Sequence, residues 1–270
     1  MKRAFVPVWT LSTCLVLVTA LAAQQPSTPR AAAQPQTQAA QGQMFTYVAE
    51  WEVASENRSK YSDNLRNTTR PVLERLAADG TLAAWGIFAT YVHQKDQNTH
   101  GFWWTAPSIA NIERARTELI RAAQQQPQIP VVSHRDYLLL STDRNARTAK
   151  STSGFLFVIS TVLQPGKEEQ WGQWLATHIR PVYDDLVANG TVSSYQVDAE
   201  FVRTENPGLR FFAYVAPSAE ALDKIRAAFG TAMEKRTAEQ RQAFQQGIDT
   251  LFVPGSRRDY MAEVFAYWVK

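Results

Sequence analysis

The chain contains one twelve-residue segment twice. Residues 70–81 read RPVLERLAADGT and residues 180–191 read RPVYDDLVANGT, at an offset of 110. Two shorter matches accompany it, Ala-Pro-Ser at residues 106–108 and 216–218 and Arg-Asp-Tyr at residues 135–137 and 258–260. A solenoid unit spans only about 20–50 residues, so the offset is too long for a solenoid. The sequence therefore predicts two copies of one domain, over residues 44–145 and 152–270.

The pattern of apolar residues divides each copy into the same series of elements. Each copy opens with a strand, because Phe45–Val53 alternates in polarity and Phe155–Val162 is β-branched and aromatic. A helix follows, since apolar residues then recur at spacings of three and four. The remaining predicted ranges are strands 82–93 and 101–105, helix 108–124 and strand 137–140, and then strands 192–203 and 210–215, helix 218–234 and strand 260–267. The order β-α-β-β-α-β is that of the ferredoxin-like unit.

The repeated segment itself predicts a broken helix with a glycine at its end. Pro71 and Pro181 lie within the helical pattern, where proline lacks an amide donor and crowds the preceding turn. We expect a kink or break there, with each proline in the first turn of a second helical segment. Gly80 and Gly190 then end the helix, because glycine readily adopts the left-handed conformation.

This arrangement resembles a known superfamily. A strand, a helix with RPV before (D/N)GT, an aromatic hairpin and Ala-Pro-Ser before the second helix resemble the dimeric α/β-barrel superfamily. That superfamily includes antibiotic-biosynthesis monooxygenase and NIPSNAP-type domains, and the resemblance covers about residues 44–270. It implies an α+β fold in which tandem ferredoxin-like repeats pair sheet to sheet and form the barrel within one chain.

The first residues have the pattern of an export signal. Lys2 and Arg3 precede an apolar run that ends with the small residues Ala-Leu-Ala at 20–22. This pattern predicts a cleaved signal peptide over residues 1–22 and a periplasmic or secreted protein that is not held in the membrane. The alternative is a retained membrane anchor. Residues 23–43, rich in Gln, Ala and Pro, predict a disordered linker because they offer no large apolar side chain to bury.

Composition and motifs exclude several classes of chemistry. Cys14, the only cysteine, would leave with the signal, so disulfides, thiolate nucleophiles and cysteine-bound metals are excluded. Loss of Lys2 and Arg3 would lower the formal net charge from +3 to +1. Nucleic-acid binding is not expected, because the sequence shows no clustered basic face. The sequence has no histidine pair at i,i+4, no Gly-rich phosphate loop and no Gly-x-Ser-x-Gly, so we expect no metal site.

His178 and Arg180 are the candidate catalytic residues. His178 lies on the apolar stripe of the second copy, where the first copy has Thr68. The resemblance implies a ligand in the cleft between helices and sheet, and some similar proteins, the chlorite-dismutase-like and haem-degrading ones, bind haem through a helical histidine. Arg180 can clamp an anion. The alternatives are a packed histidine and ion pairs of Arg70 with Glu74 and of Arg180 with Asp184.

Several further residues are candidates for ligand binding. The carboxylates of Asp198 and Glu200 share one face of a strand, either as an acid and base pair or as an ordinary solvent-facing edge. The aromatic candidates are Trp171, Trp174, Tyr195, Phe212 and Tyr214. Alternation sends Trp103 to the face opposite Phe102 and Trp104, toward the other half of the protein.

These observations leave more than one function open. The first is an exported protein that binds a small apolar or aromatic molecule in a helix–sheet cleft. The second is an enzyme resembling the cofactor-free monooxygenases, in which His178 and Arg180 converge on one cavity. The third is haem binding through His178, and the fourth is a structural protein whose clefts are filled. The long closing strand can either cover an edge of the sheet or pair with another molecule and give a homo-oligomer.

Overall fold

A computed structural model describes residues 42–93, 97–204 and 206–270 of the chain. The predicted signal peptide, and the predicted linker up to residue 41, lie outside the described residues. The strands are β1 (Met44–Glu52), β2 (Ala84–Thr90), β3 (His100–Ala106), β4 (Ser133–Ala146), β5 (Ala149–Ser151), β6 (Phe155–Val162), β7 (Ser194–Glu200), β8 (Leu209–Ala216) and β9 (Arg258–Val269). The α-helices are α1 (Arg58–Asn64), α2 (Arg70–Ala78), α3 (Ile109–Gln124), α4 (Glu168–His178), α5 (Arg180–Ala188), α6 (Ala219–Glu234) and α7 (Ala238–Leu251).

Eight of the strands form a closed antiparallel barrel. They pair in the order β2-β3-β1-β4-β7-β8-β6-β9, and β9 returns to β2 to close the ring. The short strand β5 pairs only with β9. Closure leaves no unpaired edge in the ring, and it gives the long C-terminal strand two partners, β6 and β2, within its own chain. The predicted α+β fold class is confirmed, and a closed barrel within one chain is consistent with the fold that the resemblance implies.

Alternation along the strands separates two environments. Phe102 and Trp104 face outward and pack beneath the helices of the N-terminal half (β1–β4), whereas Trp103 faces into the barrel. There Trp103 belongs to one apolar cluster with Leu156 and Val215 of the C-terminal half (β6–β9). The prediction that Trp103 lies opposite its neighbours and contacts the other half is therefore confirmed.

The helical segments before β2 and before β7 both depart from regular α-helix just before the repeated proline, as the sequence predicts. In the N-terminal half, a π-helical turn, Leu65–Thr69, separates α1 from α2. In the C-terminal half α4 ends at His178 and α5 begins at Arg180. Both second segments have proline in their first turn and stop at a glycine with φ near +80°, at Gly80 and Gly190. The predicted stop is confirmed in both halves and the break in the C-terminal half, whereas in the N-terminal half α1 continues into α2 through the π-helical turn.

Two features differ from the sequence prediction. Helix α7 lies in the insertion before the last strand and was not predicted, although Thr237 and Gln240 form a capping box at its start. Strand β4 is much longer than the predicted range because it pairs with β1 and with β7. Among the described residues, no helix combines the length and apolar character needed to cross a bilayer.

Candidate functional site: an aromatic cleft outside the barrel and a polar chamber inside it

The C-terminal half has a cleft of about 630 Å³ between its helices and the outer face of the sheet. Its floor is formed by residues of β6 and β8, which are Ile159, Thr161, Arg210 and Phe212. Helices α4 and α5 contribute Trp171, Trp174, Leu175 and Tyr183, and α6 contributes Phe229. Helix α7 and the loop after it form the remaining wall with Phe244, Ile248 and Phe252.

Four aromatic rings are packed together along one side of the cleft. Trp171 and Trp174 stack with centroids 5.5 Å apart, and Trp174 also stacks on Phe244 at 5.1 Å. Phe252 meets Trp171 edge-on at 5.1 Å. The indole N–H of Trp174 donates to the Phe244 carbonyl at 3.2 Å, while that of Trp171 is buried without an acceptor among the described residues. These contacts fix the wall in place before any ligand enters.

A glycine in the middle of α7 allows this wall to form. A Cβ atom at Gly247 would lie 2.2 Å from Cδ1 of Trp174, so no other residue permits the helix to lie this close to the indole. Glycine inside a helix costs about 1 kcal/mol relative to alanine. Sequence reasoning missed Phe244, Ile248 and Phe252, although the capping box and the spacing of Phe244 and Ile248 by four residues were signals for an amphipathic helix.

The charged side chains of the cleft are of two kinds. Arg257 is mostly exposed and forms an ion pair with Asp259 at 2.8 Å. Arg210 is only 15% exposed, and the nearest carboxylate among the described residues, that of the exposed Glu168, is 3.9 Å away. Burial lowers the pKa of Arg210, against the smaller opposing effect of Glu168. Sequence reasoning missed Arg210, although it alternates with Phe212 on one face of β8.

The N-terminal half fills the corresponding space with a tryptophan. Trp51 precedes Thr161 by the same offset of 110, and the two occupy matching places in the sheet, opposite His100 and Arg210 respectively. The Trp51 ring stacks on Phe102 at 5.0 Å and approaches Tyr61 of α1 at 5.7 Å. An indole therefore lies between helix and sheet in one half, where the other half has a small threonine.

His178 lies beside the cleft but does not line it. Its ring packs against Trp174 at 5.8 Å and against Phe244 at 5.5 Å. Burial lowers its pKa, and the positive charge of Arg236 lowers it further. The Arg236 guanidinium also donates to the His178 carbonyl at 2.8 Å. These contacts correspond to the packed alternative, and His178 is not among the residues that line the cleft.

The two repeated arginines have different partners. Arg70 pairs with Glu74 at 3.2 Å, as the helix spacing predicts. Arg180 does not pair with Asp184; it binds Asp143 of β4 through two nitrogens, at 2.8 and 2.7 Å. That prediction was wrong because the spacing of residues on one helix cannot show a strand partner. Arg180 does not line the cleft either, so His178 and Arg180 do not converge on it.

The aromatic candidates are divided between the cleft and the core. Trp171, Trp174 and Phe212 line the cleft. Tyr195 does not: it is 2% exposed and its hydroxyl donates to Asp184 at 2.8 Å. Tyr214 is 8% exposed, and its ring stacks on Phe157 at 5.4 Å. Alternation could not separate these positions, because residues 212 and 214 share one face of β8.

A second cavity, of about 250 Å³, lies inside the barrel. Asp198 borders this cavity and is 2% exposed. The face of β7 that carries Asp198 is therefore turned toward the barrel interior and not toward solvent, so the solvent-facing alternative was wrong for this residue. Its carboxylate accepts hydrogen bonds from Ser141 at 2.7 Å and Gln196 at 2.6 Å. Burial raises the pKa of Asp198 to about 6. Glu200 lies farther along β7 and accepts from the hydroxyl and amide of Thr204, so the two carboxylates do not form a pair.

A second buried carboxylate of this chamber is that of Glu50, on β1. It is 6% exposed and accepts hydrogen bonds from Asn98 at 2.5 Å and from the Tyr260 hydroxyl at 3.1 Å. Burial raises its pKa. Sequence reasoning missed Glu50, although it alternates with Thr46 and Val48 on the face opposite the aromatic residues of β1. Both carboxylates are thus held by donors from the protein itself.

The histidines do not form a metal centre. His100 is buried with both ring nitrogens engaged, Nε2 with Ser62 and Nδ1 with Thr99, each at 3.0 Å. Burial lowers the pKa of His100 to about 4, so this imidazole is neutral at pH 7. Within the ranges that the structure describes, no three histidine, cysteine or carboxylate side chains are grouped to hold a metal ion.

The closed antiparallel barrel with helices on its outer face is consistent with a dimeric α/β-barrel fold. No family model and no curated protein matches the chain in sequence. Among solved structures it is similar to a candidate monooxygenase of Fusobacterium nucleatum, with TM-score 0.61 and 9% identity over 85% of this chain and 96% of that chain. It is also similar to a candidate monooxygenase of Lactobacillus acidophilus, with TM-score 0.59 and 10% identity over 84% of this chain and 96% of that chain. An anthrone oxidase-like protein is similar with TM-score 0.52 and 10% identity over 84% of this chain and 93% of that chain. At these identities the likeness shows the fold alone.

Proposed function

We propose that the chain binds a small apolar or aromatic molecule in the cleft of its C-terminal half. The observation that carries this proposal is the cavity of about 630 Å³ walled by aromatic rings from α4, α7 and the sheet. Small-molecule sites are typically concave, about 300–1,000 Å³ in volume and mostly apolar, with a few polar groups. The cleft matches this description in size and in chemistry.

The packing of the wall also supports a binding role. Trp171, Trp174, Phe244 and Phe252 already contact one another, so the rings need little rearrangement to receive a ligand. A preformed apolar surface lowers the entropic cost of binding. The glycine at position 247 supports the same role, because it gives up helix stability so that α7 can complete the wall.

A cofactor-free monooxygenase is the second candidate, favoured by the fold shared with the two candidate monooxygenases. Such an enzyme needs polar groups that converge on the substrate. His178 and Arg180 do not supply them here, since neither lines the cleft. Arg210 is the polar group best placed to contact a bound molecule, which makes binding the stronger proposal and oxygenase activity a question for assay.

Three expectations from the sequence complete the proposal. The two halves are fused copies of one ferredoxin-like unit, supported by the matching element order and by the equal placing of Trp85 opposite Trp104 and Tyr195 opposite Tyr214. The protein is exported to the periplasm or secreted, supported by residues 1–22. Association into a homo-oligomer also stays a prediction from the sequence, and because β9 already pairs with β6 and β2 within its own chain, a second copy would have to bind at another surface.

Blocking the cleft with an indole tests the proposal. A panel of small aromatic compounds is titrated into residues 23–270, and binding is followed by calorimetry. We expect at least one compound to bind the wild type and to bind Thr161→Trp at least about tenfold more weakly, since the new indole copies Trp51. Tyr91→Trp, at an exposed site, is the control for the added indole. Binding that is equal in all three proteins, or absent from the wild type, contradicts the proposal.

A further inference from the structure

The cleft has an electrostatic asymmetry that its apolar walls do not explain. Most of its lining is hydrocarbon or aromatic ring, yet Arg210 lies on the floor beside Phe212, on the same face of β8. The Arg210 side chain is 15% exposed. Removing a cation from water is costly unless a close anion or several hydrogen bonds replace the lost hydration. The contacts of Arg210 therefore decide what the cleft can hold.

The described residues give Arg210 little compensation. One guanidinium nitrogen donates to the carbonyl of its own neighbour, Leu209, at 3.0 Å. The nearest carboxylate is Glu168, at 3.9 Å, and its side chain is 63% exposed. An exposed, distant partner of this kind contributes little, because water screens the pair. Within the part of the chain that the structure describes, the cost of burying the cation is largely unmatched.

The other charged groups of the cleft have closer partners or lie in solvent. Arg257 is bound through two nitrogens by Asp259, with its closest contact at 2.8 Å. Asp249 is on the exposed side of α7, where its carboxylate accepts from Gln245 at 3.0 Å. Arg210 is thus the charged group that is both buried in the floor and weakly paired. The cleft combines an apolar body with one positive charge at its base.

We propose that the cleft selects ligands that carry an anionic group, and that Arg210 binds this group while the aromatic walls hold the apolar body. The inference rests on the proposed binding function and names its ligand class: a flat aromatic or polycyclic carboxylate or a similar organic anion. Guanidinium presents a planar fork of donors that matches a carboxylate, and such charge-assisted hydrogen bonds are stronger than neutral ones. Arg210 is accordingly the residue that sets specificity.

Two ligands of equal shape and different charge test this assignment. Naphthalene-2-carboxylate and its neutral amide, 2-naphthamide, are titrated into the wild type at pH 7 and low ionic strength. A hydrogen-bonded charge contributes about 1.5–3 kcal/mol, and a factor of ten corresponds to about 1.4 kcal/mol, so we expect the acid to bind about tenfold or more tightly than the amide. Arg210→Gln is expected to abolish the preference, because it weakens binding of the acid about tenfold or more relative to binding of the amide. Arg210→Lys is expected to retain part of it.

Arg257→Gln is the matched control, because Arg257 lines the same cleft but already has its own carboxylate. The preference for the acid is expected to survive this change within about twofold. Equal binding of acid and amide by the wild type would overturn the anion selectivity while the cleft remained a binding site. A preference lost in Arg257→Gln and kept in Arg210→Gln would overturn the role of Arg210. Failure of both compounds, and of the wider aromatic panel, would instead overturn the proposed function itself.

Discussion

The two halves of the barrel share the order of elements β-α-β-β-α-β, but they have side chains of very different size or polarity at two matching positions. Outside the barrel, Trp51 fills the space between helix and sheet in the N-terminal half, and Thr161 leaves it open in the C-terminal half. Inside, the N-terminal half has Phe88 where the C-terminal half has Asp198, at the same offset of 110. The comparison indicates that the N-terminal half fills both of these positions with aromatic rings, whereas at the same positions the C-terminal half has an open cleft beside a weakly paired cation and a buried aspartate.

The largest expected effect is on stability in the packed half. Trp51→Thr removes the indole that contacts Phe102 and Tyr61, and deletion of a large buried aromatic side chain costs about 3–5 kcal/mol. Because Trp51 is half-buried, we expect a loss of about 3 kcal/mol in the free energy of unfolding, measured with denaturant. Thr161→Ala, at the matching open position, should cost less than about 1 kcal/mol. Equal losses would show that the two spaces are filled alike.

The second prediction concerns pH and the barrel interior. Burial raises the pKa of Asp198 to about 6, above the value of about 3.9 for an unperturbed aspartate. The folded state therefore holds this proton more tightly, so the contribution of Asp198 is fully present below pH 4 and is lost as the pH rises through 6. At about 1.4 kcal/mol per pH unit, the loss reaches roughly 2–3 kcal/mol by pH 7.5.

The variant Asp198→Asn isolates this effect, because the amide does not titrate. Free energies of unfolding at pH 4 and pH 7.5 are compared for the two proteins, and the wild type should lose roughly 2–3 kcal/mol more than the variant over this range. Using the difference between the proteins removes the contributions of all other groups, including Glu50. An equal pH dependence in both proteins would show that folding does not raise the pKa of Asp198.

The third prediction uses the weakly paired cation of the cleft. Arg210→Met keeps a long apolar stem for packing and removes the charge, so the free energy of unfolding without ligand should rise by about 1 kcal/mol. A residue that lowers stability and is retained for binding has this signature. Thermal unfolding of both proteins measures the change. A clear loss of stability in the variant would show that Arg210 is held by contacts as favourable as those of Arg257.

The smallest expected effect is the difference in stability cost between substitutions of the two repeated arginines, Arg70 and Arg180. Arg180→Gln breaks the two contacts with the half-buried Asp143 and should cost about 1 kcal/mol. Arg70→Gln should cost less than about 0.5 kcal/mol, since Lys150 still pairs with Glu74 at 3.0 Å. Both free energies of unfolding come from denaturant titrations. A larger loss at Arg70 than at Arg180 would contradict the assigned partners.

The sequence predicts the fold better than it predicts the site, and the reason is the range of the interactions. The strand and helix order, the break at Pro181 and the inward direction of Trp103 follow from local periodicity, which the printed sequence contains. The partner of Arg180 and the burial of Asp198 depend on β4 lying beside β7, a contact between the two halves. Periodicity shows that Asp198 shares a face with Glu200, but not that the face is inside a barrel.

The sequence predicts the cleft only in part. Trp171, Trp174 and Phe212 can be identified from the sequence, because the apolar stripe of a helix and the outer face of a strand must meet. The wall formed by α7 was missed since its residues lie in an insertion with no counterpart in the first copy. The significance of Thr161 follows only from comparison with Trp51, once both are placed in the sheet opposite Arg210 and His100.

The most direct test of the account is to locate a bound aromatic anion by its bromine atom. Crystals of residues 23–270 are grown with 6-bromonaphthalene-2-carboxylate, and anomalous scattering gives the bromine position without reference to any model of the ligand. The account predicts one strong peak in the cleft between Trp174, Phe244 and the sheet, with the carboxylate directed at Arg210. A peak beside Trp51, a peak inside the barrel, or no peak at saturating compound would contradict it.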